Sequence, residues 1–345
     1  MEKQFASPAF FAAKNSIHGF VSYFNEIFKR ENYDKVFVLK GGPGTGKSTL
    51  MRKISEHFNK LGFKVKIILC SSDPNSLDGV IIEDRIAVID GTSPHEADSK
   101  FPGVADEIVN LAEAIDEEKI KDKRNTIINL SKEKNEYYNS AYKYLSFLEK
   151  IRNYKKSLIV LNLKKTDSII KSLVKEKPNE NEAKKPEFRL LSSFNKNGYY
   201  TLDFSAYEIK KAVRLHDKFG EGALFLERLL KLCEEKHPLI IFPSALWDEV
   251  EGVYFVEEKL LISTKFDGEG LPIEECFKFK NEEELSELSK LEEDVLGLSQ
   301  DFLKKASEKH FKLEDIYFSA MDFSVNDKLF LYIKEKSTKI LATRR

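Results

Sequence analysis

The run Gly41-Gly42-Pro43-Gly44-Thr45-Gly46-Lys47-Ser48-Thr49 fits the spacing G-x-x-x-x-G-K-[ST]. The chemistry of that spacing is anion binding. Glycines let the backbone wrap closely around a phosphate with its N–H groups turned inward, and a helix starting near Lys47 points the positive end of its dipole at the same place. Lys47 is placed for the β- and γ-phosphates of a nucleoside triphosphate, Ser48 for Mg2+ through its hydroxyl, and Thr49 for the α-phosphate. The bland alternative is a glycine turn that only joins a strand to a helix; motif and flanking pattern together argue against it.

A second candidate is Asp90, which ends the apolar run Ile86-Ala87-Val88-Ile89. A hydrophobic strand that delivers a carboxylate downstream of such a loop is the pattern of an aspartate supporting Mg2+ directly or through water. Gly91 follows where many hydrolytic ATPases have a glutamate to activate water, which argues for slow hydrolysis. Asp73, Asp78, Glu83 and Glu96 are the candidate replacements, each with a solvated or capping role as its alternative. The polar run Cys70 to Gly79 and the run Gly91 to His95 both leave the carboxyl ends of predicted strands, where open α/β sheets bind ligands. His95 is a candidate for sensing the γ-phosphate or moving a proton, against an exposed loop histidine as the default. Arg52 and Arg85 are the nearest cations for transition-state charge, with surface roles as their default.

These residues need a scaffold. Lys35 to Lys40 reads as a buried strand, Lys47 to Leu61 as a helix through Leu50, Ile54 and Phe58, and Lys64 to Cys70 and Arg85 to Asp90 as further strands. Strand, helix, strand implies a parallel sheet and an α/β fold. His18 to Arg30 places Phe20, Phe24, Ile27 and Phe28 on one helical face. From Val104 to about Val174 the pattern is helical and charged, the pattern of a long helical hairpin; Leu158 to Leu163 fits a short strand equally well. Glu176 to Glu187, with Pro178 and Pro186, reads as a solvated linker. The expected division is a nucleotide-binding domain over 1–178 with the hairpin at about 104–174, a charged linker at 179–187 and a second domain over 188–345.

That second domain reads as a weak repeat of the first. Phe188 to Phe194 resembles the run near Phe10, Lys211 to His216 fits a strand, and Pro238 to Pro243 matches Val65 to Leu69. Val250-Glu251-Gly252-Val253 parallels Leu77-Asp78-Gly79-Val80, with Leu260 to Ser263 following as Ile86 to Ile89 does. At the position of Gly44 to Ser48 the repeat has Gly220-Glu221-Gly222-Ala223-Leu224, so lysine and hydroxyl are gone and Glu221 would repel phosphate.

Composition bounds the rest. A chain of 345 residues suggests two domains, and a net charge of -1 gives no global field for nucleic acid or an anionic membrane. Phe5 to Ala13 is too short to span a bilayer and lacks a signal-peptide core, which places the protein in the cytoplasm. Cys70, Cys233 and Cys276 have no disulfide or zinc spacing, and Cys233 and Cys276 read as small buried hydrophobes.

The runs Val36 to Leu50, Cys70 to Ile82 and Ile86 to His95 resemble a little-characterised bacterial family of two-repeat P-loop ATPases. Phe10-Phe11-Ala12, Gly19-Phe20 and Met321-Asp322-Phe323 carry the same likeness. The resemblance implies a P-loop NTPase fold and an ATP site, and brings no substrate with it. Family members often keep a second P-loop; Ala223 and Leu224 depart from that. The expectation is therefore a Mg2+-dependent ATP-binding protein, with GTP not excluded, that couples slow hydrolysis to a conformational change. A small-molecule or nucleotide kinase and a non-catalytic switch are the alternatives. A protein partner is expected at the helical hairpin or the second domain, and neither nucleic acid nor membrane.

Overall fold

A computed structural model describes residues 7–174, 185–204, 206–233, 237–265 and 269–343. In the N-terminal half the elements are β1 (Ala9–Phe11), β2 (Ala13–Ser16), β3 (Gly19–Ser22), α1 (Phe24–Ile27), β4 (Lys35–Lys40), α2 (Lys47–Lys60), β5 (Val65–Leu69), β6 (Leu77–Ile82), β7 (Ile86–Asp90), β8 (Asp106–Asn110), α3 (Glu117–Ile120), α4 (Arg124–Ser157), β9 (Ile159–Leu161) and α5 (Leu163–Leu173). The C-terminal half follows with β10 (Glu187–Phe188), β11 (Ser192–Asn195), β12 (Gly198–Thr201), β13 (Lys211–Leu215), α6 (Gly222–Cys233), β14 (Leu239–Pro243), β15 (Val250–Phe255), β16 (Leu260–Ser263), β17 (Glu269–Leu271), β18 (Phe277–Phe279), α7 (Glu282–Phe318) and α8 (Phe323–Ala342).

The fold is α/β, built on two mixed six-stranded sheets flanked by helices. The first has the order β1-β5-β6-β7-β4-β8 and the second β10-β14-β15-β16-β13-β17, which is the same order strand for strand. Directions agree as well: in each sheet only the third strand in the order runs antiparallel to its neighbours. Val36, Phe37, Val38 and Leu39 are fully buried, as a parallel strand covered on both faces requires.

A purely parallel sheet is the wrong expectation for the first half, because β6 is a strand where the sequence reads as loop. It joins β7 through Glu83 and Asp84, both at positive φ (54° and 53°), a tight hairpin made without the Asn-Gly or Asp-Gly that normally announces one. His18 to Arg30 is not one helix either. Gly19–Ser22 pairs with Ala13–Ser16, and only the short α1 remains, with Phe20 in the strand, Phe24 and Ile27 in α1 and Phe28 at its end.

The helical hairpin expected at 104–174 is also corrected. Asp106–Asn110 is an edge strand beside β4. Beyond it, residues 104–174 contain no glycine or proline to turn the chain, so α4 runs unbroken for 34 residues. Its antiparallel partner is α7, from the other half of the sequence. Ala141, Leu145, Leu148 and Ile151 bury against Leu303 and its neighbours, Ser299 Oγ donates to the Ala141 carbonyl (3.1 Å), and Tyr144 stacks on Phe302 at 5.5 Å.

The pair ends in an exchange. Ile170 and Val174, from α5 and its end, enter the core of the second sheet with Val213, Phe225 and Leu226, whereas Ile333 of α8 enters the core of the first with Val36 and Ile54. Matching backbone bonds hold both crossings: Asp116 N to Ala320 O and Asp322 N to Ala114 O on one side, Lys280 N to Leu158 O and Asn162 N to Cys276 O on the other. Of the linker expected at 179–187, residues 179–184 lie outside the described residues, and Glu187 already belongs to β10. Among the described residues no helix is long and apolar enough to cross a membrane.

Candidate functional site

β4 delivers the loop Gly41–Gly46 at the carboxyl edge of the first sheet, and α2 leaves it. Gly44 (φ 73°) and Gly46 (φ 85°) sit in the left-handed region, which a residue with a Cβ adopts only under strain. Thr45 is buried and its Oγ1 donates back to the Gly42 carbonyl (2.8 Å), closing the turn. Lys47 Nζ lies over the loop mouth, donating to the Gly41 and Gly42 carbonyls at 2.9 Å each. Pro43 and Thr49 line the same cavity.

Asp90 meets Lys47 because β7 pairs with β4, with Leu39 opposite Asp90. Its Oδ2 is 3.6 Å from Lys47 Nζ, while Oδ1 accepts from Thr92 N (2.8 Å) and Thr92 Oγ1 (2.6 Å). Ser48 Oγ accepts from Leu77 N at 3.0 Å, which leaves a second lone pair on the hydroxyl. A hydroxyl and a carboxylate beside a lysine are hard oxygen donors that suit Mg2+, an ion that keeps several waters and takes substrate phosphate oxygens. No group of three or more His, Cys, Asp or Glu that would hold a metal by itself occurs among the described residues.

The two loops at this edge are more ordered than their sequences suggest. Asp73 Oδ1 accepts from Asn75 N (3.3 Å), and its Oδ2 is 4.0 Å from Lys196, a residue of the second half. His95 is not an exposed loop histidine. It is 6% exposed, stacks on Phe24 at 4.0 Å, and has both ring nitrogens engaged: Nε2 lies 3.0 Å from Asp78 Oδ2 and Nδ1 lies 3.3 Å from Ser22 Oγ. A hydrogen bond from this ring to a bound phosphate would have to displace one of those partners. Asp78 lines the cavity and faces His95.

Other candidates fall away. Glu83 sits in the β6–β7 turn and accepts from Lys64 N (2.6 Å). Arg85 binds Asp34 (2.6 Å) and the Ile340 and Thr343 carbonyls at the end of α8 (3.0 Å each), a packing role. Arg52 lines the cavity and donates to the Asn75 carbonyl (2.7 Å). Glu96 borders a smaller hollow of about 170 Å³ behind His95. Burial pushes the Cys70 thiol well above its ordinary range, which disfavours the reactive thiolate.

What sequence reasoning misses is the roof. α4, α7 and α8 close over the loop to leave a cavity of about 1250 Å³. Asn326 Nδ2 donates to the Thr45 carbonyl (2.9 Å), the Tyr317 ring lies 3.6 Å from where a Gly42 Cβ would stand, and a Cβ on Gly44 would meet the Glu314 backbone. Tyr138 hydrogen-bonds toward Ser72, and burial pushes its phenol up to about 12. Tyr142 donates to Asn15 Oδ1 (3.0 Å). The one signal in sequence is Met321-Asp322-Phe323: Asp322 caps α8 by accepting from Ser324 N (3.0 Å), and Phe323 comes within 3.3 Å of a Gly46 Cβ.

The equivalent loop of the second half is filled by protein. Asp217 Oδ1 accepts from Gly220 N (2.6 Å), and the fully buried Glu221 carboxylate accepts from Lys218 N (3.0 Å) and Phe219 N (2.6 Å). So Glu221 does not merely repel phosphate; it fills its own loop by accepting from two of that loop's N–H groups, and burial raises its pKa. Arg152 of α4 closes the other side, donating to the Gly220 (3.0 Å) and Phe219 (3.3 Å) carbonyls while forming a two-pronged pair with Glu249 (2.9 and 2.6 Å). Ser263 pairs with Arg214 as Ile89 pairs with Val38, and lies opposite Gly252 as Ile89 lies opposite Gly79, so Thr264 stands where Asp90 stands and the carboxylate is gone.

No protein-family model, no curated protein and no solved structure matches this chain.

Proposed function

We propose that the N-terminal half is a P-loop site for Mg-ATP, and that the protein hydrolyses ATP slowly and uses the event to move the helices above the loop. The observation that carries this reading is the convergence of Lys47, Ser48 and Asp90 on one glycine loop, 3.6 Å apart in the case of lysine and aspartate. Gly41–Gly46 would offer backbone N–H groups to the β-phosphate, Lys47 would move from the loop carbonyls onto the β- and γ-phosphates, and Thr49 would reach the α-phosphate. Ser48 and Asp90 would hold Mg2+, whose role is to neutralise charge on the phosphate oxygens.

With Gly91 after Asp90 that position offers no glutamate to activate water, and Asp78 and His95 face each other, so turnover is slow. Because Glu314 and Asn326 rest on the loop itself, any ordering of Gly44 or Thr45 on phosphate binding is transmitted to α7 and α8. A phosphotransferase is the second reading, favoured by a cavity larger than a nucleotide needs. Nothing in the site selects adenine over guanine.

The test is phosphate release from Mg-ATP and nucleotide binding on the same samples. Lys47→Ala should lower turnover by about a hundredfold or more, the scale on which lost phosphate-charge stabilisation acts. Lys218→Ala, in the filled loop, should change nothing. An unaltered Lys47→Ala enzyme sinks the reading.

A further inference from the structure

We propose that the part of the cavity under α4 and α7 is a subsite for a second small molecule bearing a phosphate or carboxylate, with Lys134 as its cation. The proposal rests on the nucleotide reading for the part above Gly41–Thr49.

Room is the first argument. At about 1250 Å³ the cavity exceeds the roughly 300–1,000 Å³ that one drug-sized ligand fills. Its far wall is built for a molecule rather than for water alone: Tyr138 and Phe311 offer rings, and Asn135 and Asn139 offer amides.

Charge is the second. The carboxylates around the cavity are mostly committed. Asp73 faces Lys196 (4.0 Å), Asp78 faces His95 (3.0 Å), Asp90 faces Lys47 (3.6 Å), Glu314 faces His310 (3.5 Å) and Asp327 faces Lys53 (2.8 Å), while Asp315 is exposed at the mouth. Lys134 is half-buried and, among the described residues, has no carboxylate within ion-pair distance and no hydrogen-bond partner. Its neighbour Glu133 is turned away onto Lys309. Burial alone lowers the pKa of Lys134, with no protein charge opposing it. An ammonium held partly out of water without a counter-charge is unfavourable until an anion arrives.

Position is the third. Glu133 pairs with Lys309, which sets Lys134 beside Ser307 and His310, whereas the glycine loop lies under Glu314. Glu314 is five residues beyond Lys309, so the lysine is displaced along the helix pair by roughly one and a half turns, ~7.5 Å, from the residue that touches the loop. In the second half Arg152 of α4 lies against Gly220 as Glu314 of α7 lies against Gly44, and it and Lys155 pair with Glu249 and Glu292, each with a protein carboxylate where Lys134 has none.

The experiment saturates the full chain with Mg2+ and a non-hydrolysable ATP analogue, then titrates phenyl phosphate and benzoate by calorimetry. Phenyl phosphate should bind beside the analogue with one further site. Lys134→Gln should weaken it about tenfold, the loss expected for one charge-assisted hydrogen bond, and Lys134→Arg should restore it. Affinity for the analogue should stay the same in both variants. Benzoate binding as well as phenyl phosphate assigns the subsite to carboxylates generally; phenyl phosphate alone assigns it to phosphate esters. Competition between probe and analogue, weaker analogue binding in Lys134→Gln, or binding of neither probe overturns the proposal. If the analogue fails to bind while phenyl phosphate binds through Lys134, the nucleotide reading falls and the subsite stands.

Discussion

Two loops occupy the same place in two sheets of the same order, and they differ in what meets the backbone. At Gly41–Thr49 the loop amides face a cavity, and a lysine amine rests on two carbonyls. At Asp217–Gly222 the amides are taken by Asp217 and Glu221, and the carbonyls by Arg152. With Ala223 and Leu224 where the first loop has Lys47 and Ser48, the second half partners its loop's amides and carbonyls from its own side chains, so the loop persists as structure. The comparison teaches that a glycine loop is a polar demand before it is a site, and that demand is met either by ligand or by protein.

The sharpest way to break the comparison is to unplug the filled loop. Arg152→Met leaves the Glu249 carboxylate buried without its two-pronged partner, although Lys156 still lies 2.8 Å away. A loss of about 3–5 kcal/mol in urea denaturation is expected, with nucleotide affinity at the first loop unchanged. A fall in both together would mean that the two loops are not independent.

Next in size is the exchange of helices. Ile333 is fully buried in the core of the first sheet although it lies in the last helix of the chain. Ile333→Ala should cost about 2–5 kcal/mol, and hydrogen exchange should speed up in β4 and α2 rather than in β13 and α6. The opposite pattern would remove the exchange.

The smallest effect sharpens the comparison between Asp78 and its counterpart Glu251. Asp78 has His95; Glu251 is buried with Ser192 Oγ at 2.7 Å, and burial pushes its pKa up to about 7. A carboxyl whose folded pKa is raised binds its proton more tightly in the native state. Its contribution to stability is thus full below about pH 4.5 and is lost as pH rises to about 7. Glu251→Gln should flatten that slope and, above pH 7, stabilise the protein by on the order of 2–3 kcal/mol. Thermal melts of both proteins across this range test it; parallel curves would contradict it.

Much of the first half is legible in the chain because the signals are local. Val36 to Leu39 is a continuous apolar run, Gly46 and Lys47 mark a loop turning into a helix, and Ile86 to Asp90 ends in a carboxylate, so three parts of the candidate site follow from spacing alone. β6 escapes because its turn uses Glu83 and Asp84 at positive φ, residues with no strong preference for it. His95 is misjudged because a histidine in a polar loop gives no sign that Phe24, Ser22 and Asp78 will close around it. Periodicity identifies α4 as helical but does not say which partner its apolar stripe will meet, and that partner, α7, lies in the other half of the sequence.

The sequence by itself determined the glycine loop, its lysine and hydroxyl, and the strand that carries Asp90, because each rests on backbone conformations and side-chain periods set within about ten neighbouring residues. Only the tertiary structure decided that helices from the far end of the chain roof the loop, that Arg152 and Glu221 seal its counterpart, and that Lys134 is left facing a cavity. Those outcomes depend on contacts between segments distant in the chain, where burial and polar satisfaction choose among partners that local pattern leaves equivalent.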